Sequence, residues 1–153
     1  MLTKDFNPWR IIDDYDPMQF SNKSSELVQW PIKLWKAPIV SPYYHHAHLL
    51  VAADCSAFAY SGFHNAYAKG KVALICCMDT DFDVMSKLSQ ILLNNTIKSV
   101  TVVKTDKPCC GGLSLAVMQA VKSSRFPVPV QVSTVFVNAE DVSEETERFS
   151  QKC

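Results

Sequence analysis

The sequence predicts an α/β domain built on a mainly parallel sheet of about four to five strands, and two observations support this prediction. Short, continuously apolar runs recur along the chain, as expected of strands that are buried on both faces. Amphipathic segments of helical period separate these runs. Strands that alternate with helices are typical of a small three-layer domain, in which helices cover both faces of one sheet.

The predicted elements follow one another in regular order between residues 48 and 137. Apolar runs predict strands over residues 48–54, 71–77, 97–103 and 128–137. Helical periodicity predicts helices over residues 61–69, 81–95 and 111–123, the first of them closed by Gly70. A short edge strand is expected over residues 28–35, because Pro31 argues against a central position. This order predicts a Rossmann-like arrangement.

Three regions are expected along the chain. Residues 1–27 are mixed and polar and predict an irregular N-terminal arm, and residues 28–137 predict a single α/β domain. Residues 138–153 predict a polar C-terminal tail that carries a short helix after Ser143. A chain of 153 residues is long enough for one domain with a core and too short for two.

Composition excludes several classes of partner. The 15 basic residues balance the 15 acidic ones, so the chain has no long-range field that would attract nucleic acid or anionic lipid. Its apolar runs are far shorter than the roughly 20 residues that a membrane span needs. The start lacks the apolar region of a signal peptide. We therefore expect a cytoplasmic protein without nucleic-acid or membrane partners, and the sequence leaves its oligomeric state open.

Five of the six cysteines are expected at one edge of the sheet. Cys55 follows the first core strand, Cys76 and Cys77 end the second, and Cys109 and Cys110 follow the third; Cys153 is terminal. Because the carboxyl ends of parallel strands meet at one edge, these thiols converge if the three strands are neighbours. A set of thiolates suits zinc or an iron–sulfur cluster, and suits magnesium or calcium poorly.

Other candidate groups are predicted near the same edge. His64 is a candidate nitrogen ligand if residues 56–60 form a loop, whereas a helix that begins at Ser56 would carry it about 12 Å away. Gly111 and Gly112 are candidate cofactor-binding positions, since they allow a tight turn before a helix N-terminus. Asp54, Asp79 and Asp81 are candidate ligands, supporting groups or helix caps. His45, His46 and His48 are expected at the opposite edge, as solvated loop residues.

Several motifs together resemble a known family. These are AADCSAFAYSGFHNAYAKGKVALICC (residues 52–77), IKSVTVV (residues 97–103), PCCGGL (residues 108–113) and QWPIKL (residues 29–34). In this order and spacing they resemble the C-terminal domain of prokaryotic ferredoxin-like iron–sulfur proteins. The resemblance implies a redox or metal-binding role for Cys55, Cys77 and either Cys109 or Cys110, with His64 as a further candidate. The chain departs from the family in two ways: residues 1–27 contain no cysteine, and Met78 and Asp79 stand where the family has Pro-Lys.

Three functions follow as hypotheses, and they leave open whether the protein is an enzyme. The first is an iron–sulfur redox or electron-transfer accessory domain with ligands Cys55, Cys77, Cys109 and Cys110, served by a separate ferredoxin or reductase. The second is a zinc-dependent hydratase or hydrolase, similar in outline to β-type carbonic anhydrases, in which His64 joins the cysteines. The third is a thiol-based redox protein or an interaction domain.

Overall fold

Five strands form one sheet in the computed structural model of the protein, which describes residues 25–137 and 144–149. Their order across the sheet is β2-β1-β3-β4-β5. The first four strands are parallel, and β5 runs antiparallel to β4. The predicted α/β class with a mainly parallel sheet is confirmed. The strands are β1 (Ala47–Ala53), β2 (Val72–Cys76), β3 (Ile97–Thr105), β4 (Val130–Val135) and β5 (Glu144–Phe149).

Helices connect the parallel strands. The β1–β2 connection carries α1 and a π-helical turn, whereas α2 precedes β3 and α3 precedes β4. Connections between parallel strands are right-handed, so two crossovers that move in opposite directions along the sheet place their helices on opposite faces. The helical elements are α1 (Ser56–Ala59), the π-helical turn (His64–Ala68), α2 (Val84–Asn94) and α3 (Leu113–Ala120). Short 3-10 turns span Pro42–Tyr44, Pro108–Cys110 and Val121–Ser123.

Two apolar layers hold these helices on opposite faces of the sheet. On one face, Leu88 and Ile91 of α2 and Val117 of α3 pack in the larger core cluster with alternate residues of the strands. On the other face, Phe63 and Tyr67 of the π-helical region pack in the smaller cluster with the remaining strand residues. Strand residues alternate between the two layers because successive side chains of a strand point to opposite faces. The sheet is therefore the middle layer of three.

The N-terminal part of the described chain differs from the prediction. Where a strand is expected over residues 28–35, only Lys33 forms a bridge, with Ile75 at the outer edge of β2. Hydrogen bonds from the Leu34 N–H to the Ile75 carbonyl and from the Ile75 N–H to the Ile32 carbonyl hold it there. Pro31 has no N–H to donate, which limits regular pairing. The expected arm falls outside the described residues, apart from residues 25–27.

The predicted short helix after Ser143 is wrong. Glu144–Phe149 form β5 and pair with β4, so the sheet continues beyond the domain end expected at residue 137. An outer strand of mainly polar residues carries no apolar run, which is why hydrophobic patterning misses it. Residues 138–143 and 150–153 of the expected tail lie outside the described residues. Within the described ranges, no helix combines the length and apolar character needed to cross a bilayer.

Candidate functional site

The sheet topology brings the cysteine-bearing strands side by side. Strand β1 lies between β2 and β3, and the chain leaves β1 toward β2 before it returns past β1 to β3. The crevice between β1 and β3 at their carboxyl ends is therefore the switch point of the sheet. Ligands bind at such points in open α/β sheets. The three cysteine-bearing strands are therefore neighbours, a relation that the sequence alone could not establish.

A small cavity lies at this edge, and all five predicted edge cysteines line it. Its volume is about 10 Å³, close to that of a single water-sized probe. The five thiols are free, so no disulfide links them. The lining residues are Ala53, Asp54, Cys55, Cys76, Cys77, Met78, Cys109, Cys110 and Leu113.

The turn after β1 places Cys55 at the mouth of the cavity. The Asp54 N–H donates to the Cys76 carbonyl at 3.0 Å, which continues the β1–β2 ladder to the last residue before Cys55. The buried Ser56 hydroxyl donates to the Ala53 carbonyl at 2.6 Å and closes the turn into α1. Cys55 itself is exposed. Two hydrogen bonds thus hold the turn on either side of an exposed cysteine.

The two cysteines at the end of β2 have different surroundings. Cys76 is fully buried in the core cluster beneath the cavity. Cys77 is half-buried, and its N–H donates to Asp81 Oδ2 at 2.8 Å. The Asp81 N–H in turn donates to the Cys77 carbonyl at 2.9 Å. This reciprocal pair fixes the loop after β2 and gives the Asp81 carboxylate a structural partner.

The loop after β3 supplies the other two thiols. The buried Thr105 hydroxyl donates to Cys110 Sγ at 3.1 Å, so β3 directly positions that sulfur. Cys110 is 4% exposed, and Cys109 is half-buried. A side chain at Gly111 would place a Cβ atom 3.2 Å from the Pro108 carbonyl oxygen, so the 3-10 turn favours glycine there. At Gly112 the space admits a Cβ, since Met78 Cε lies 3.5 Å away.

The thiols lie close enough to influence one another's ionisation. Burial and, after it, the neighbouring thiol of Cys110 raise the pKa of Cys55 to about 11. Partial burial and Cys110 also raise the pKa of Cys109. The carboxylate of Asp54 further raises the pKa of Cys55, and that of Asp79 further raises the pKa of Cys109. Burial raises the pKa of Cys76 to about 12. The site therefore disfavours additional negative charge.

Lys33 supplies a cation at this edge. Its Nζ lies 3.2 Å from Asp54 Oδ2, in an ion pair whose members are both partly exposed. Exposed pairs of this kind contribute about 0–1 kcal/mol to stability. Sequence reasoning missed Lys33, because it lies 21 residues before Asp54 and no motif links the two. It also missed Thr105, which the prediction placed in the loop after β3.

His64 does not line the cavity. It is exposed, and its Nδ1 accepts a hydrogen bond of 3.3 Å from the Glu26 N–H. The expected loop over residues 56–60 is wrong, because α1 begins at Ser56. This helix ends at Ala59, however, and His64 begins a separate π-helical turn. His48 lies at the other end of β1 from the cysteines, as expected, but it is a strand residue and not a loop residue. Its Nδ1 lies 2.7 Å from Ser99 Oγ.

The cysteines at this edge provide a sulfur donor set of the kind that binds metal ions. Four sulfur donors around one cavity match the number and type that zinc prefers. In their present rotamers, however, no three His, Cys, Asp or Glu side chains of residues 25–137 and 144–149 are placed to hold one ion. Ligation thus requires rotation of some of these side chains.

Comparison with known proteins identifies the family. Residues 41–153 match the family described as "Rossmann-like domain", and the chain therefore belongs to it. An uncharacterized protein of Archaeoglobus fulgidus is 24% identical over 95 residues, which cover 62% of this chain and 68% of that protein. No solved structure matches the chain. The family match agrees with the observed fold and names no ligand or reaction.

Proposed function

We propose that the protein binds a single thiophilic metal ion, such as zinc, through the thiolates of Cys55, Cys77, Cys109 and Cys110. The observation that carries this proposal is the convergence of cysteines from the ends of three adjacent strands on one cavity. Among the described residues no three such side chains are now placed to hold an ion, so the proposal requires these cysteines to change rotamer on binding. Cys76 stays in the core and serves as the floor of the site.

The size of the cavity favours one ion. The present volume of about 10 Å³ is close to that of one water-sized probe, so a single ion needs less rearrangement of the site than a cluster of several irons and sulfides. Zinc bound by four thiolates is tetrahedral and has no open position, which is typical of a structural site. His64 does not line the cavity, so a zinc hydratase that uses this histidine has less support.

The electrostatics of the site also favour a cation over thiol nucleophilicity. Reactive cysteines have lowered pKa values, because the thiolate is the nucleophile. Here burial, neighbouring thiols and two carboxylates raise the pKa of Cys55 and Cys109. A divalent cation removes the penalty, since it deprotonates coordinating thiols and neutralises their charge. The negative charge around these thiols disfavours a free thiolate, and a bound divalent cation would offset that charge.

An iron–sulfur electron-transfer function is the second candidate. The exposed Cys55 and half-buried Cys109 lie at the mouth of the site, where a cluster would have room if these side chains opened outward. The resemblance of PCCGGL and the other motifs to ferredoxin-like iron–sulfur proteins supports this candidate. In that case electrons would pass to or from a separate ferredoxin or reductase.

Metal analysis of protein purified without oxygen tests both candidates. We expect about one equivalent of zinc and no acid-labile sulfide. Cobalt(II) added to metal-free protein should give the intense visible bands of tetrahedral thiolate coordination. Cys55→Ser and Cys109→Ser should weaken these bands, whereas Cys76→Ala should retain them. Iron and sulfide in several equivalents would favour the second candidate, and a protein that retains no metal and gives no cobalt spectrum would contradict both.

A further inference from the structure

A cavity larger than the one at the cysteine edge lies where β3, β4 and β5 run side by side. Its volume is about 340 Å³, within the range of pockets that bind small organic molecules. This strand groove is lined by residues 99–101, 129–131, 148 and 149. It shares no lining residue with the cysteine cavity, so the two are separate places on the molecule.

Three polar side chains form a row across the strand groove. Thr101 of β3 pairs with Gln131 of β4, and Gln131 pairs with Arg148 of β5. Residues that lie opposite each other on neighbouring strands direct their side chains to the same face of the sheet. Val103, two residues after Thr101, packs in the smaller core cluster, so the row lies on the face of the π-helical turn. One ligand on this face can therefore contact all three residues.

The three side chains of this row have no hydrogen-bond or ion-pair partner among residues 25–137 and 144–149. Thr101 is nevertheless only 7% exposed. No fully buried side-chain oxygen in this part of the chain lacks a partner, so the Thr101 hydroxyl opens into the groove that it lines. Buried polar groups are normally hydrogen-bonded, and a ligand in the groove would supply the bond that this hydroxyl lacks.

Arg148 gives the strand groove a positive charge. No carboxylate is among the described residues that line it, and the neighbouring Glu147 lines a different groove, beside α3. A guanidinium group binds a carboxylate through two parallel hydrogen bonds, and one such group balances one carboxylate charge. Apolar walls complete the groove, and they come from Pro129, Val130 and Phe149.

We propose that the strand groove binds a small monocarboxylate with an apolar body. Neighbouring strands are about 4.8 Å apart, so a carboxylate placed over Gln131 has Thr101 on one side and Arg148 on the other. Its two oxygens offer about four lone-pair sites and can accept hydrogen bonds from all three side chains. The apolar body lies against the walls of the groove. This site does not depend on metal at the cysteine edge.

Nuclear magnetic resonance titration of the isotope-labelled full-length protein with 3-phenylpropanoate, in the presence of chelator, tests the proposal. The amide signals of residues 99–101, 130 and 131 should shift and saturate, with a dissociation constant on the order of 1 mM. The neutral 3-phenylpropanamide should bind at least about tenfold more weakly, because it carries no charge to pair with the guanidinium.

Variants separate direct contact from general electrostatic attraction. Arg148→Met replaces an exposed side chain of an outer strand and should lower the affinity about tenfold, with an unchanged circular dichroism spectrum. Thr101→Val keeps the shape of the side chain and should lower the affinity about threefold. Lys104→Met is the matched control, because it removes the same charge from the groove beside α3 and should bind as the wild type does.

Four results would overturn the proposal. The first is the absence of amide shifts at about ten times the expected dissociation constant. The second is equal affinity for the carboxylate and its amide, and the third is an equal loss of affinity in Arg148→Met and Lys104→Met. The fourth is a titration in which inorganic phosphate shifts the same amides at lower concentration than 3-phenylpropanoate.

Discussion

Replacing either cysteine at the end of β2 by alanine tests which of the two adjacent thiols binds metal. Cys76 is fully buried in the core cluster, whereas Cys77 is half-buried beside the loop that Asp81 holds. Removal of a buried sulfur costs its transfer free energy and leaves a small void. We therefore expect Cys76→Ala to lower the free energy of unfolding by about 1–2 kcal/mol in the metal-free protein. Cys77→Ala should cost less than about 1 kcal/mol, because its side chain is partly solvated.

Zinc should reverse this ranking. At a free zinc concentration about 100 times the dissociation constant, binding to the native state adds about 2.7 kcal/mol to the free energy of unfolding. Cys76→Ala should keep this increment, because Cys76 is not among the proposed ligands. Cys77→Ala should lose about 1.4 kcal/mol of it for every tenfold loss of affinity. Cys77→Ala, the more stable of the two variants without metal, should therefore gain less stability from zinc than Cys76→Ala.

Urea unfolding followed by circular dichroism measures both effects, with one series in chelator and one in buffered zinc under a non-thiol reductant. The wild type and Cys76→Ala should show equal zinc increments. Equal increments in wild type and Cys77→Ala, with the increment lost in Cys76→Ala, would refute the assignment of Cys77 as the ligand. No increment in the wild type would refute the metal site itself.

Three further changes test the scaffold. Burial raises the pKa of Tyr44 to about 12 from its ordinary 10.0, and its hydroxyl donates to the Pro38 carbonyl at 2.9 Å. Because the folded-state pKa is the higher one, this stabilisation is complete below pH 10 and is lost between pH 10 and about 12. Tyr44→Phe should therefore cost about 1 kcal/mol at pH 8 and nothing near pH 11, as urea unfolding at the two pH values will show. Gly70→Ala has free space for its Cβ but a φ of +72°, so a loss of about 1 kcal/mol in thermal unfolding is expected from backbone strain alone. Asp83→Ala removes the carboxylate that accepts the Ser86 N–H at 3.1 Å, and amide exchange in the first turn of α2 should accelerate about fivefold for a cost of about 1 kcal/mol.

The parallel part of the sheet could be predicted because each strand carries its own signal. The apolar runs before Asp54 and Cys77 become β1 and β2, with bounds that differ from the predicted ones by about one residue at each end. These strands are buried on both faces, so nearly every position must be apolar. Strand β5 had no such signal, because it lies at the outer edge of the sheet and is mostly polar. Residues 144–149 form a strand because they pair with β4, and strand pairing over this distance cannot be predicted from local sequence.

The candidate site could be predicted only as far as topology allows. Sequence placed five cysteines at the carboxyl ends of three strands, but the neighbour relations of those strands come from the crossovers. The burial of Cys76 and Cys110 and the exposure of Cys55 depend on side-chain directions at the strand ends. The helix after β1 stops at Ala59, so spacing alone could not place His64.

Competition between protons and metal for the same sulfurs gives a final prediction about pH. Each thiol must lose its proton to bind metal, and the raised pKa values of Cys55 and Cys109 make this loss costly. Zinc affinity should therefore rise steeply from pH 6 to pH 8, with more than one proton released per ion. Potentiometric or calorimetric titration in buffers of different ionisation enthalpy measures that number. A single released proton would contradict a site with several thiolates, since zinc would then be held by one thiol and groups already ionised.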